Sequence, residues 1–375
     1  MSLTLLRVEM VSPFSTPVLQ YLQAVHDAPR PVGPTVLDAL PGMVRERTLY
    51  RWQRSLGARL TYFPSLSLAG LGLVHAHLFL EGASDRWVDL PVVLSACWVN
   101  RGLERPGLYL HCVIPAGEEA GFENLVRTLS RDGWCAEYTL VLASDGWQVV
   151  GLTGLDRDGR FRGRTRPKEE FREGVFGVAV DQQGLLRSYP FIVPAVFEAP
   201  EERVSLQEVW RRVHERLGSV VWRYFPRGTR RWPVNGKRYV RHAMELVVAA
   251  GLFRQNIIRY QPLLNDGLEV FVLLNAANVE ELVRSFGTVC PIVDVAPAQD
   301  GRVLLRLAGD QALVYEVLRV AREVVRPVGV WVHDTRHEDA ALRRVRFQYE
   351  TLFDPVTGTW RFSADDILAS LRGKA

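Results

Sequence analysis

Apolar residues recur along the chain with two periods, one typical of helices and one typical of strands. Residues 16–26 (TPVLQYLQAVH) repeat apolar side chains at helical spacing, which predicts a helix. Residues 73–80 (LVHAHLFL) follow a wing-like segment punctuated by Pro64, Gly70 and Gly72, and predict a strand. The patterns further predict helices at 35–40, 44–56, 86–94 and 118–129, and strands at 96–100, 107–114 and 135–142.

The chain contains an internal repeat, because the segment from Val44 aligns with the segment from Val240. Gly57 matches Gly251 and Tyr62 matches Tyr260, so that corresponding landmarks lie 194 to 198 residues apart. A repeat of this length indicates domain duplication, since solenoid repeats are several times shorter. The second copy predicts helices at 206–217, 237–250, 279–286 and 310–324, and strands at 268–274, 288–295, 302–307 and 328–333.

Each copy therefore predicts two units in the same order. Short helices with tight corners are typical of a helix-turn-helix, and the βαββαβ order predicts a four-stranded antiparallel sheet with two helices on one face. The predicted fold class is α+β, with two tandem copies of a winged helix-turn-helix followed by a ferredoxin-like βαββαβ domain. The predicted boundaries are 1–70 and 71–149 for the first copy, 150–202 for a connector with a hairpin, and 203–264 and 265–375 for the second copy with its C-terminal extension.

The order of elements resembles the Lrp/AsnC family of transcriptional regulators. The resemblance is carried by LPVVLSACWVNRGLERPGLYLHCVIPAGEEAGFENLVRTL and by its counterpart VEELVRSFGTVCPIVDVAPAQDGRVLLRLAGDQALVYEVL. It implies a helix-turn-helix joined to an effector-binding and dimerisation domain. Family members normally pair two such chains, so a tandem chain is expected to form an intramolecular pseudo-dimer, with a homodimer of chains as a further option.

Fused siroheme decarboxylases share this architecture and are the second alternative. Their typical segment rich in His, Tyr and Arg between the second and third strands is not evident in CWVNRGLERPGLYLH or in CPIVDVAPAQDGRVLL. A structural adaptor that retains only the fold is the third alternative, because the helix ending in MELVVAAGLF is almost wholly apolar. The leading hypothesis is a non-enzymatic, DNA-binding regulator.

Basic residues at the two predicted recognition helices are the candidate contacts to double-stranded DNA. Arginine can grip phosphates and read guanine edges, and Gln can read adenine. The predicted DNA-binding residues are Arg45, Arg47, Arg51, Gln53, Arg54, Arg230, Arg231, Lys237, Arg238 and Arg241. The alternative for each set is a solvated basic surface. The net charge is only +4, so any DNA-binding surface has to be local.

Other chemistry is sparse in the sequence. By analogy with the family, a small-molecule effector is expected at the turns 101–106 and 296–301, and its candidate contacts are Arg101, Glu104 and Arg105. His75 and His77 lie two apart on a strand, a spacing that can chelate a metal, but no suitably spaced thiol or carboxylate accompanies them. We therefore expect packed or hydrogen-bonded histidines, no metal, no cofactor and no catalytic residue.

The sequence also lacks the features of an exported or membrane protein. The N-terminus has no basic leader and no long apolar region, and no stretch of 18 apolar residues without a charge occurs. The four cysteines are scattered through apolar runs, which favours buried free thiols. A cytoplasmic location without membrane contact is expected.

Overall fold

We describe a computed structural model of the chain. The described residues are 16–28, 60–101, 105–152, 155, 182–198, 206–225, 236–260, 267–275, 279, 286, 290–310, 315–316, 319, 327–334, 343–344 and 347–372. The first predicted helix is confirmed as α1, Thr16–His26, which buries five apolar side chains on one face. The predicted helices at 35–40 and 44–56 lie outside the described residues.

The first half of the chain forms four antiparallel strands in the order β5, β2, β4, β3. The elements are β1 (Leu60–Leu66), β2 (Leu73–Glu81), β3 (Val93–Arg101), β4 (Arg105–Pro115), α2 (Glu119–Arg131) and β5 (Glu137–Ala143). One face of β2 carries Leu78 and Leu80 into the core shared with α2, while the other face carries His75, His77 and Phe79. The predicted alternation in β2 is thus confirmed, although both of its faces are covered.

One predicted helix in this half is wrong. Residues 86–94 form a short 3₁₀ turn over Asp85–Asp89, and β3 already begins at Val93. Pro91 lacks the amide hydrogen that a continuing helix would need, and the β-branched pair Val92 and Val93 favours an extended backbone. The apolar spacing that predicted a helix instead buries Trp87 and Leu90 beneath the sheet core.

The second half repeats the strand order of the first, as β11, β8, β10, β9. Its described strands are β6 (Trp147–Val150), β7 (Phe253–Tyr260), β8 (Gly267–Asn275), β9 (Ile292–Pro297), β10 (Arg302–Asp310) and β11 (Pro327–Asp334). The predicted helices at 279–286 and 310–324 lie largely outside the described residues.

The two sets of four strands join into one antiparallel sheet of ten strands. β3 pairs with β11 through Asn100↔Val332 and Arg101↔Trp331, and the two-residue β12 (Arg343–Arg344) also lies against β3. The chain leaving β5 returns to the second half, because Ala143 bridges Ala298 and β6 pairs with β9. The two halves therefore meet along both of these borders, and their inner faces pack together through Phe79, Tyr109, Phe271 and Trp331.

A separate two-stranded ladder relates the two halves symmetrically. β1 pairs with β7 in the register Leu60↔Tyr260, Thr61↔Arg259 and Tyr62↔Ile258. With the repeat spacing of 198 residues found for Tyr62 and Tyr260, these strands are equivalent, and Thr61↔Arg259 pairs equivalent positions. When two copies are related by a two-fold axis, the same strand of each copy pairs with its equivalent in the other copy, as β1 and β7 do here.

Six further helices of the described part of the chain pack against the core of the first half of the sheet. They are α3 (Gln182–Ser188), α4 (Ile192–Glu198), α5 (Leu206–Leu217), α6 (Gly236–Ala249), α7 (Tyr349–Leu352) and α8 (Ala364–Arg372), with a 3₁₀ segment over Gly218–Tyr224 and a hairpin of β13 (Phe353–Asp354) and β14 (Thr359–Trp360). Helix α5 buries Val209, Val213 and Leu217, one helical stripe. The predicted connector thus contains helices over its residues 182–198, and its hairpin stays a prediction.

The C-terminal segment ties the helical layer to the first sheet unit. Trp360 Nε1 donates a hydrogen bond to the Leu71 carbonyl at 2.7 Å. Arg216 is almost fully buried between Glu198 at 2.5 Å and Glu350 at 2.6 Å. The structure is a mixed α+β fold with a large antiparallel sheet, while the tandem winged helix-turn-helix arrangement stays a prediction. None of the helices in the described part of the chain is long and apolar enough to cross a membrane.

Candidate functional site

A pocket of about 300 Å³ opens between the two halves of the sheet. The first half contributes side chains of β2, β3 and β4, and the second half contributes side chains of β8, β9 and β10. The loop between β5 and β6, helix α4 and helix α6 complete the wall, the last through Met244. Gly146 lets this loop approach β9, since a Cβ there would collide with the Val295 carbonyl oxygen. The volume lies at the lower end of the range of small-molecule sites.

Three histidines line the pocket on the first half of the sheet. His75 and His77 share one face of β2 because alternate residues of a strand point the same way, and His77 pairs with His111 on β4. The His75 Nδ1 and His111 Nε2 atoms are 2.8 Å apart, within hydrogen-bond distance. The ring of His111 also stacks on His77, with a centroid separation of 4.9 Å. The three rings form one continuous imidazole cluster.

His77 and Tyr109 form a buried neutral pair at the base of this cluster. The His77 Nδ1 and Tyr109 hydroxyl oxygen are 2.8 Å apart. Burial, with smaller contributions from His75 and Arg306, lowers the pKa of His77 to about 3. Burial likewise raises the pKa of Tyr109 above its ordinary value. Near neutral pH the imidazole of His77 and the phenol of Tyr109 therefore both stay uncharged.

Asp145, in the loop between β5 and β6, holds a buried negative charge at the pocket wall. It accepts hydrogen bonds from the Ser67 hydroxyl at 2.5 Å, the Leu68 amide at 2.9 Å and Arg254 at 3.0 Å. Burial alone would raise the pKa of Asp145, but hydrogen bonds from His75, Ser67 and the Ala69 amide hold it well below its usual range. The Asp145 Oδ1 and His75 Nε2 are 3.6 Å apart, so the carboxylate faces the imidazole cluster.

The opposite wall carries a buried ion pair on the second half of the sheet. Arg306 on β10 donates to Glu269 on β8 at 2.5 Å, and its guanidinium lies 5.7 Å from the ring centroid of Phe271. Burial would lower the pKa of Arg306, yet the carboxylates of Glu269 and Asp294 raise it. The pocket is thus lined by the arginine of a permanent ion pair and by a cluster of imidazoles.

This arrangement can exchange protons with a bound group. Within the described ranges, no group of three or more His, Cys, Asp or Glu side chains is placed to hold a metal ion. All four cysteines are buried free thiols. Acid and base chemistry by imidazole, next to a guanidinium, is the chemistry that these side chains offer.

The predicted DNA-binding residues do not line this pocket where they are described. Arg238 and Arg241 are exposed on α6, and Lys237 is described only as a backbone position at the start of that helix. The remaining seven lie outside the described residues: Arg45, Arg47, Arg51, Gln53, Arg54, Arg230 and Arg231. Their role in DNA binding stays a prediction.

The predicted effector contacts lie at the β3–β4 turn. Arg101 ends β3 and forms ion pairs with Glu81 at 2.5 Å and Glu137 at 3.4 Å. Arg105 begins β4, with only its backbone described, and Glu104 lies outside the described residues. An effector at this turn also stays a prediction.

Sequence reasoning missed Tyr109, His111, Asp145 and Arg306 as site residues. The sequence placed His75 and His77 on one face of a strand and predicted packed or hydrogen-bonded side chains, which the structure shows. The only functional role considered for them was metal binding. The repeat held a signal, because Arg306 occupies the position in the second copy that His111 occupies in the first. A histidine and an arginine at equivalent positions of two buried strands could have indicated that both strands contribute to a site.

Comparison with known proteins adds one structure. No protein-family profile matches the sequence, and no curated protein matches it. A solved structure of the siroheme decarboxylase NirDL, in complex with an iron-uroporphyrin III analogue, is similar over 96% of this chain and 99% of that chain. The sequence identity is 10% and the TM-score is 0.45, values at which the similarity assigns no residue and no substrate to this chain.

The prediction that the chain is not an enzyme is corrected by this comparison. The matched structure is that of an enzyme, the class of protein that the sequence analysis placed second. An enzymatic role for this chain is therefore open. A direct match to a DNA-binding regulator was not found among these comparisons.

Proposed function

We propose that the chain is an enzyme that removes carboxyl groups from a large, conjugated polycarboxylate of the tetrapyrrole class. The observation that carries the proposal is the pocket, largely apolar, that His75, His111 and Arg306 line together. The substrate class is the one implied by the sequence resemblance to fused siroheme decarboxylases. The pocket of about 300 Å³ would take one edge of such a ring with its carboxylate arm, between walls that include Phe197 and Ile257.

Decarboxylation needs the two kinds of group that the pocket offers. The bond between a methylene carbon and its carboxylate carbon breaks, CO₂ leaves, and the electron pair stays on the methylene carbon, delocalised into the ring. One proton then converts this carbon into a methyl group, so no oxidant or reductant is required. Arg306 would orient the carboxylate, and the His75–His111 pair would hold the proton until the carbon can accept it.

The first test is a titration of the full chain with sirohaem and with iron uroporphyrin, followed by absorbance in the Soret region. We expect a shifted Soret band and, under turnover conditions, a product lighter by CO₂ in mass spectrometry. The variant His111→Gln should bind the tetrapyrrole but turn over about 10²–10⁴-fold more slowly, the usual range for loss of a general acid. His214→Gln, which alters an exposed histidine of α5, is the matched control.

A normal Soret shift with no CO₂ from the wild-type chain would leave a tetrapyrrole-binding protein and overturn the enzyme. Absence of any Soret shift would overturn the substrate class. Equal loss of turnover in His111→Gln and His214→Gln would show that the pocket histidines are not involved.

A DNA-binding regulator is the second candidate, favoured by the exposed arginines of α6. This helix buries Val240, Ala243 and Val247 while Arg238 and Arg241 stay exposed, as a helix lying on phosphates would require. Binding of genomic duplex fragments should weaken with salt. The double variant Arg238→Ala/Arg241→Ala should lower the salt slope by about two, roughly one for each phosphate that is no longer neutralised. An unchanged slope would remove α6 from the DNA surface.

A further inference from the structure

Asp294 on β9 is a carboxylate of the pocket wall with a single hydrogen-bond partner. Its neighbour Val293 packs into the apolar core of the second half, so Asp294 points to the other face of the strand and lines the pocket. Asp294 Oδ1 accepts from Gln148 Nε2 at 2.8 Å. Among the described residues no group donates to Asp294 Oδ2, and this atom is not one of the buried oxygens that lack a partner. Asp294 Oδ2 is therefore open to a ligand in the pocket.

Gln148 determines which oxygen of Asp294 can carry a proton. The side chain of Gln148 is buried, and Gln148 pairs with Asp294 across β6 and β9. Gln148 Oε1 accepts from the Ile258 amide at 2.8 Å, and Gln148 Nε2 donates to the Ile258 carbonyl at 3.1 Å. These two bonds fix the orientation of the side-chain amide, so its nitrogen is the end that meets Asp294 Oδ1. An amide nitrogen donates and does not accept, so a proton on Asp294 can only lie on Oδ2.

Asp294 is also the carboxylate at this pocket that forms no ion pair in the described part of the chain. Arg306 lies directly opposite Asp294 on β10, but its ion pair is with Glu269 on β8. Arg254 is paired with Asp145 in the same way. With neutral imidazoles, these carboxylates outnumber the arginines by the one charge of Asp294.

An ionised carboxylate arm that enters the pocket would meet the charge of Asp294. Two carboxylates brought close together do not both stay ionised, and they share one proton instead. A proton on Asp294 Oδ2 turns the repulsion into a hydrogen bond to the arm. Arginine has further N–H groups after its bond to Glu269, so Arg306 can donate to the same arm.

We infer that Asp294 is the carboxylate-recognition residue of the pocket, which takes up a proton when a carboxylate arm binds and donates it to that arm from Oδ2. The proton comes from water and returns to water when the pocket empties. It is separate from the proton that reaches the methylene carbon after CO₂ leaves. The class of ligand, a carboxylate arm, rests on the proposed function, whereas the open oxygen of Asp294 does not.

The imidazoles of the first half are the competing sites for this proton. His75 on β2 and His111 on β4 line the same pocket as Asp294. His77 and Tyr109 line it as well but stay uncharged near neutral pH. The helices that complete the wall contribute apolar side chains. The experiment therefore has to separate proton uptake by Asp294 from proton uptake by an imidazole.

The probe is phenylacetate, which carries a carboxylate on a methylene carbon beside a flat ring and is small enough for the pocket. The full chain is titrated without tetrapyrrole in phosphate and in Tris, because calorimetry in buffers with different heats of ionisation counts the protons taken up. We expect about one proton for each phenylacetate bound near pH 7. The dissociation constant should rise by about three- to tenfold per pH unit between about pH 6 and pH 8. Binding without proton uptake, or no binding at millimolar phenylacetate, would overturn the inference.

The variant Asp294→Asn assigns the proton to its site. It keeps the acceptor for Gln148 and places N–H groups where Oδ2 was. It should therefore bind phenylacetate about tenfold more tightly than the wild type near pH 8, with no proton uptake. Asp365→Asn changes an exposed carboxylate of α8 and is the matched control, which should behave as the wild type. Proton uptake that persists in Asp294→Asn would assign the proton to an imidazole and contradict the inference.

Infrared difference spectra of the wild-type chain decide if Asp294→Asn does not fold. A carboxylic acid has a carbonyl band that an imidazolium lacks, so this band should appear when phenylacetate binds, and its absence would contradict the inference. Proton-linked phenylacetate binding without a Soret shift would remove the tetrapyrrole and keep the role of Asp294. A Soret shift with turnover, together with phenylacetate binding that takes up no proton, would keep the proposed function and remove this inference.

Discussion

The two halves of the sheet place opposite chemistry at equivalent positions. In the first half, His77 pairs with His111 across β2 and β4, and His75 meets His111 on the diagonal at 2.8 Å. In the second half, Phe271 pairs with Arg306 across β8 and β10, and Glu269 meets Arg306 on the same diagonal at 2.5 Å. One backbone frame thus holds a titratable imidazole pair on one wall and a permanent ion pair on the other.

The difference shows what duplication can achieve in a single chain. Two identical chains would place the same residues on both walls, because a two-fold axis repeats every side chain. A tandem chain is free of that restriction. Here the wall with His75 and His111 can exchange protons, whereas the wall with Arg306 keeps its charge at every ordinary pH. Function in this fold lies in the side chains that the frame carries.

The largest effect is expected from breaking the ion pair. Arg306→Met leaves the carboxylate of Glu269, which is 4% exposed, without its cation. Loss of one partner of a buried ion pair should lower the free energy of unfolding by about 3–5 kcal/mol. The measurement is urea denaturation followed by fluorescence. The double variant Glu269→Gln/Arg306→Met should recover much of this loss. A single variant as stable as the wild type would mean that the second wall contributes no structural charge pair.

A smaller effect is expected from the neutral pair on the first wall. Tyr109→Phe removes the hydroxyl group from His77 Nδ1 in a site where both side chains are buried. An unsatisfied buried nitrogen should lower the free energy of unfolding by about 1–3 kcal/mol. Tyr315→Phe is the control, since that side chain is 63% exposed and its change should fall within about 0.5 kcal/mol. Equal effects of both variants would show that the buried hydroxyl is not a partner of His77.

The strands could be predicted from the sequence because their alternation is local. Residues 73–80 and 107–114 carry the period of two that a sheet demands, and the structure extends the first strand by one residue and the second by three. The helix predicted at 86–94 failed because its apolar spacing fits both a helix and a buried turn before a strand. Pro91 and Val92 were the signals against it.

The site could be predicted only in part, because its contacts are distant in the sequence. The shared face of His75 and His77 follows from spacing alone. His111 lies beside them because of the register between β2 and β4, which depends on the path of the chain through β3. Asp145 lies in the loop between β5 and β6, and no local sequence pattern predicts the conformation of that loop. Arg306 lies in the other copy, so only the joining of two sheets brings it to the pocket.

A pH-dependent effect distinguishes the imidazole wall from the ion-pair wall. Burial lowers the pKa of His77 to about 3, whereas its unfolded value is near 6.5. Below the unfolded value the unfolded chain binds a proton that the folded chain refuses, so stability falls as pH decreases from about 6.5 towards 3. The contribution of this one group is about 1.4 kcal/mol per pH unit. The variant His77→Gln should remove that slope, while the double variant Glu269→Gln/Arg306→Met should keep it.

The smallest effect on stability is expected for the Arg101–Glu81 ion pair, which lies at the β3–β4 turn and is partly exposed. Arg101 bonds to Glu81 at 2.5 Å, the same distance as in the interior pair, but its side chain is 41% exposed. Water and salt screen such a pair, so Arg101→Ala should change the free energy of unfolding by at most about 1 kcal/mol. Repeating the denaturation in about 1 M salt should shrink this difference further, because the screening length falls to about 3 Å. A loss as large as that of Arg306→Met would mean that distance, and not burial, sets the strength of these pairs. Comparing Arg101→Ala with Arg306→Met therefore tests whether burial or the distance between the charges sets how much an ion pair stabilises this protein.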